Sequence, residues 1–127
     1  MGANGIFESA DVISIYTRGQ AIEDGVLVDV TETAREAGFK CPVALTSAVQ
    51  AAIEDIPPSK TFQDVKGRLW DVLWMGTLAA RRVTEVDSLL YKLIMHRGRK
   101  TYQILKMVAG PDDAGAFCIT IMLPDED

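Results

Sequence analysis

The charged residues with the most obvious chemical potential cluster in one short stretch: Lys92, His96, Arg97, Arg99, Lys100 and Lys106. If HRGRK (residues 96–100) is a hairpin tip, several cations project from one end, a geometry that follows a phosphate backbone or meets an acidic protein. A ribbon that reads base edges also needs polar or aromatic side chains aimed outward, and only Tyr102 and Gln103 offer this. The plainer alternative is a solvated turn whose charge protects a sheet edge. His96 is the only histidine and stands beside Arg97 with no serine or cysteine nucleophile near it in sequence, which argues against general-base work. Glu23-Asp24 and Asp112-Asp113 could face a hard cation, but DDAG lacks the ligand count of a calcium loop, and PDDAG reads fully as a turn. No glycine-rich segment forms a phosphate-binding loop. Cys41 and Cys118 sit in the apolar stretches FKCPVAL and AFCITIML, without metal spacing, and read as buried free thiols. The expectation is therefore no catalytic residue, no metal and no cofactor.

A second cluster, GRLWDVLWMGTLAARR (residues 67–82), sets Trp70 and Trp74 around Asp71. As a strand it puts both indoles on one face. As a helix it aligns Leu69, Val72, Leu73, Gly76, Ala79, Ala80 and Val83 in one stripe, with Arg68, Asp71 and Arg82 outside it. The helical match is longer, and it places Arg81 and Arg82 where a C-terminal dipole favours cations. An Arg68–Asp71 pair on the solvent edge would add a few tenths of a kcal/mol, ~0.2–0.5. Tryptophan is highly buried on average, so Trp70 and Trp74 read as core or core edge. Their alternative role is as interface anchors, where tryptophan contributes much of the binding energy.

These residues need elements to hold them. The chain of 127 residues, 48% hydrophobic and 24% charged, has the length and balance of a single folded domain, residues 1–127. Residues 1–5 and 124–127 are expected to be flexible, the terminal PDED being a solubilising tail. No signal peptide and no apolar run of spanning length is present, so the expected location is cytoplasmic, with no membrane contact. VISIY reads as a strand, and VLVDV as another. Between them TRGQAIED is a short helix capped by Thr17 and ended by Gly25. Thr31 is placed to cap TETAREAG, which Gly38 ends, and Thr46 opens TSAVQAAIEDI, which Pro57-Pro58 stops. After Val83 the period changes to that of strands: SLLYKLIMH, TYQILKMVA and FCITIML, joined by RGRK and GPDDAG. The expected fold is α+β, with three or four helices packed on an antiparallel sheet that contains this C-terminal three-stranded meander.

Charge is distributed unevenly around a net of −5. Residues 1–80 carry eleven acids against six bases, residues 81–106 two against seven, and residues 107–127 five against none. So sparse a surface is a poor imitation of DNA, with its charge every ~1.7 Å of axis.

The blocks VISIYTRGQAIEDGVLVDVTETAREAGFKCPVALT, GRLWDVLWM, and AGPDDAG followed by ITIMLPDED resemble an uncharacterised bacterial family often carried by plasmids, phages and other mobile elements. The blocks span over half the chain. The resemblance implies no established activity, fold or catalytic residue, only a genetic context in which small accessory proteins act by binding something. The sequence departs from the family at AFC, where a Glu-Pro pair is expected before ITIMLP, and at Cys41, where an aromatic residue is expected. Neither cysteine is thus a functional candidate. The resulting expectation is a non-enzymatic accessory protein of a mobile element that binds an unknown protein partner, anchored by the Trp-containing helix or an apolar sheet face. The alternative is nucleic-acid binding through the basic 92–106 hairpin.

Overall fold

A computed structural model describes residues 16–56, 64–82, 87–96 and 100–126. Within them the fold is α+β, with four helices and a five-stranded sheet. Most of VISIY, Pro57-Pro58, Val83 and residues 97–99 lie outside the described residues.

Helix α1 (Arg18–Glu23) begins at Thr17 through a full capping box: the Thr17 hydroxyl accepts from Gln20 N–H, and the Gln20 side chain accepts from Thr17 N–H. Gly25, at φ 79°, turns the chain into strand β1 (Leu27–Asp29). Helix α2 (Thr31–Ala37) departs from expectation at its start. Val30 occupies the cap position with no side-chain bond, and Thr31 is the first helical residue. Its hydroxyl is drawn instead to the neighbouring strands, donating to Asp29 Oδ1 at 2.5 Å and accepting from Val43 N–H at 3.1 Å. One threonine thereby ties β1 and α2 to β2 (Val43–Thr46). Thr46 caps α3 (Ser47–Glu54) as the sequence predicts, accepting from Val49 N–H.

Helix α4 (Val65–Ala80) confirms the helical period of the Trp-containing stretch. Val72, Leu73 and Gly76 are buried and Leu69, Ala79 and Ala80 half-buried along the expected stripe. Arg68 is a correction. It is buried rather than at the solvent edge, and its Nη1 donates to the carbonyls of Ala52, Ile53 and Asp55 at 2.8–3.2 Å. The end of α3 leaves carbonyls without helical partners, and a guanidinium, with several donors and a positive charge, satisfies them. Asp71 makes no pair with it.

The C-terminal meander forms with little change from its sequence bounds: β3 (Ser88–His96), β4 (Lys100–Pro111) and β5 (Phe117–Met122). The β4–β5 turn is held by Asp112 Oδ1, which accepts from Ala114 N–H and Ala116 N–H. The sheet is mixed rather than antiparallel, because β5 lies between β4 and β2, and β2 runs parallel to it, in the order β1-β2-β5-β4-β3. Helices α2, α3 and α4 cover one face over Val43, Leu45, Leu105, Ile119 and Ile121. On the other face the Arg18 guanidinium reaches Thr120 Oγ1 and the Ile119 carbonyl, fixing the start of α1 there. Asp113 completes the attachment by accepting from the N–H groups of Arg18 and Gly19. Glu126, in the segment expected to be flexible, is held too: its carboxylate accepts from Thr46 Oγ1 and Leu123 N–H, and its carbonyl accepts from Lys106 Nζ.

Helix α4 comes very close to the meander at Gly76, where a Cβ would stand 2.8 Å from Met107 Cε and 3.2 Å from Tyr91 Oη. The Tyr91 hydroxyl donates to the Val72 carbonyl at 3.0 Å, and burial pushes its pKa far up, so it remains a donor.

Replacing Arg68 by Met keeps the buried aliphatic stem but orphans the α3 carbonyls. Arg68→Met is expected to lower the unfolding free energy by about 1.5–3 kcal/mol, read as a lower urea midpoint with an unchanged slope. An unchanged midpoint would show that the guanidinium is not what joins α3 to α4.

Candidate functional site

The sequence-predicted cations divide between those with visible partners and those without a described side chain. Lys92 extends over the Tyr102 ring, its Nζ 4.8 Å from the centroid. Lys106 bonds the Glu126 carbonyl. His96 and Lys100 face each other in the β3–β4 register at the closing end of the hairpin, and Arg97 and Arg99 lie outside the described residues. The two described lysines share one sheet face, since Lys92 pairs with Ile104 and Lys106 with Leu90.

That face is unusual for what surrounds the lysines. Leu90 is 62% exposed, Tyr102 59%, Ile104 47% and Ile94 39%, and all four alternate with the lysines across the β3–β4 pair. Sequence reasoning named an apolar sheet face as a possible anchor but singled out only the charges by residue, not this apolar set. Its signal was present: in SLLYKLIMH and TYQILKMVA both alternating sets carry large apolar residues, whereas a strand with one solvated face alternates apolar with polar.

The tryptophans do not belong to the core. Trp70 and Trp74 are each 39% exposed and stack on one another, with centroids 6.2 Å apart and planes 8° from parallel. The close approach at Gly76 explains their position: the sheet-facing side of α4 admits only small and medium side chains, and the indoles take the outer side. Asp71 lies beside them, next to Met75, Lys92 and Tyr102 in a groove of about 370 Å³.

The remaining candidates for chemistry are consumed by structure. Asp29 accepts from Thr31 N–H and Thr31 Oγ1. Asp24 accepts from the Tyr16 hydroxyl, raising the pKa of that phenol. Asp112 and Asp113 hold the turn and α1. Among the described residues no three histidine, cysteine or acidic side chains converge as metal ligands, and no helix is long and apolar enough to cross a membrane. Cys118 is buried and Cys41 partly so, and both are free. Burial pushes the Cys41 thiol up, Cys118 adds to the shift and Arg18 opposes it. A thiol so disposed is a poor nucleophile. Asp24, Asp29 and Asp71 occupy separate places and build no common site.

Two exposed apolar surfaces therefore stand out, the stacked indoles on α4 and the outer face of β3–β4. Residues 3–127 match a family described as a family of unknown function (DUF6573). The chain belongs to this family. Comparison with curated proteins finds no match, and comparison with solved structures finds none. Membership of DUF6573 agrees with the expected resemblance to an uncharacterised family and assigns no role to any residue.

Burial also pushes the Asp71 carboxyl up from its ordinary value. Folding thus favours the protonated form. The contribution is fully present below the unfolded carboxyl's pKa, ~3.9, and is lost as pH rises through the folded value. Asp71→Asn is expected to gain thermal stability relative to the parent as pH rises from about 4 to 7, measured by Tm at each pH. A difference in Tm that stays constant over this range would mean that Asp71 does not titrate with folding.

Proposed function

We propose that this protein is a small accessory protein of a bacterial mobile genetic element that works in the cytoplasm by binding another protein, without catalysing a reaction. The observation that carries the reading is the outer face of β3–β4, where Leu90, Ile94, Tyr102 and Ile104 lie together and exposed. Soluble monomers rarely leave large contiguous apolar patches open, and those that persist mark interaction sites. The stacked Trp70–Trp74 pair adds a second anchor of the residue type that dominates interface energetics. The genetic context rests on the resemblance of the sequence blocks, and the cytoplasmic location on free cysteines away from metal spacing.

The nucleic-acid alternative has less support. Of its six proposed contacts, Lys106 is engaged on the Glu126 carbonyl, and Lys92 stands among the exposed apolar residues Leu90, Ile94, Tyr102 and Ile104 rather than among other cations.

The test is capture from the cytoplasm of a host cell carrying the element, using the parent chain and two variants, Trp70→Ala/Trp74→Ala and Leu90→Ser/Tyr102→Ser. A protein retained by the parent and reduced about ten-fold or more on one variant, with both variants unfolding cooperatively, is the expected result. A partner indifferent to both, or no specific partner, overturns the reading. Parallel titration with DNA and RNA at two salt concentrations covers the alternative: salt-steep binding abolished by charge reversal at Arg97, Arg99 and Lys100 would transfer the function to nucleic acid.

A further inference from the structure

Strand β3 is the terminal strand of the sheet, and no described strand pairs with its outer edge. Which backbone groups that edge presents follows from the register. The Ala109 N–H donates to the Asp87 carbonyl at 2.8 Å, and Asp87 is opposite Ala109 in the β3–β4 alignment. In an antiparallel ladder bonded pairs alternate, so Leu89, Tyr91, Leu93 and Met95 direct their N–H and C=O groups at β4. Ser88, Leu90, Lys92 and Ile94 direct theirs outward, a row of donors and acceptors ready to bond another strand.

A continuous groove runs beside this row. On the α4 side it is bounded by Asp71, Met75 and Leu78, spaced four and three residues apart and so on one face of the helix, and by Arg82 just past its end. Two cavities of about 380 and 370 Å³ make up the groove, and they share Met75 and Lys92. A strand added at the edge would send alternate side chains into it, over Met75, Leu78 and Ala79, and the others onto the sheet face beside Leu90 and Ile94.

Charge selects the occupant. Arg82 and Lys92 are the charged residues lining the larger cavity, and the segment 81–106 carries seven bases against two acids. Symmetric antiparallel pairing of β3 with a second copy would bring the Lys92 of each copy near the other, where like charges oppose pairing. Resting on the protein-binding reading above, we infer that the β3 edge takes up an extended segment of a partner protein, with alternating apolar and acidic side chains, as a sixth strand. The backbone ladder provides the fit, the Met75–Leu78–Ala79 wall receives the apolar side chains, and Lys92, on the outer face with Leu90 and Ile94, meets the acidic ones.

The full chain is titrated with a synthetic peptide of about ten residues alternating Val and Glu, and with its Val/Lys counterpart, while amide hydrogen exchange is followed residue by residue. The Val/Glu peptide is expected to slow exchange at Leu90, Lys92 and Ile94 about ten-fold or more. It is also expected to bind about ten-fold more weakly to Lys92→Glu, an exposed position, and the Val/Lys peptide to bind poorly. No binding, equal binding of both peptides, or protection confined to other residues overturns the inference. Edge amides that are already protected without peptide also overturn it, in favour of a second copy if the protection grows with protein concentration and of this chain itself if it does not. Loss of peptide binding at the edge, with a host partner still captured through the indoles or the outer face, refutes this mode alone and leaves the protein-binding reading standing.

Discussion

The parallel pairing of β2 with β5 is the constraint on which the rest of the architecture depends. It joins the β1–α2–β2 unit to the C-terminal meander through Val43–Leu45 against Ile119–Ile121, the apolar centre of the sheet. Parallel strands cannot be joined by a tight turn, and α3, α4, β3 and β4 all lie within the connection between these two. The attachments around the pair reinforce it from both sides. Thr31 bonds the amide at the start of β2, and Arg18 bonds the Ile119 carbonyl and Thr120 of β5. Once β5 is flanked by β2 and β4, β1 and β3 become the edges among the described strands. The exposed edge and the exposed face are thus consequences of one pairing.

The meander was legible because everything that specifies it is local. Strand-length apolar runs separated by Gly, Pro and Asp turns fix strand bounds, and Asp112 folds its own turn. The caps at Thr17 and Thr46 are equally local. The parallel pair was not legible, since nothing in VALT or CITI announces a partner so distant in sequence. Thr31 was misplaced for the same reason: its hydroxyl had a choice between its own helix and the β2 amide, and the strand that settled the choice is remote. Arg68 looked like a surface residue because a lone arginine beside an aspartate on a helix is commonly one. Its true partners are carbonyls released where α3 ends, a demand that exists only once two helices are packed.

The tryptophans show how packing overrides a residue-type expectation. Their size makes burial favourable on average, yet the face of α4 directed at the sheet must pass within contact distance of Tyr91 and Met107. That spacing suits Gly76 and Val72 and excludes an indole. Displaced to the outer side, Trp70 and Trp74 recover part of their contact area by stacking on each other. The period of the helix was readable from sequence, whereas which large residue the core would exclude depended on how close the sheet comes.

The outer face of β3–β4 has the complementary property: its apolar residues lie outside the core cluster of the described residues. Leu90, Ile94, Tyr102 and Ile104 face away from the core formed by Tyr91, Leu93, Leu105 and Met107 on the same two strands. Polar residues at those positions would protect an open edge better. The carboxylates and cations that could have done chemistry are, by contrast, largely engaged in caps, turns and helix ends. Lys92 and Lys106 temper the apolar face without covering it, one lying over an aromatic ring and the other reaching the C-terminal segment. Exposing such a surface has a cost in water, and it is this cost that supports the proposed protein-binding role.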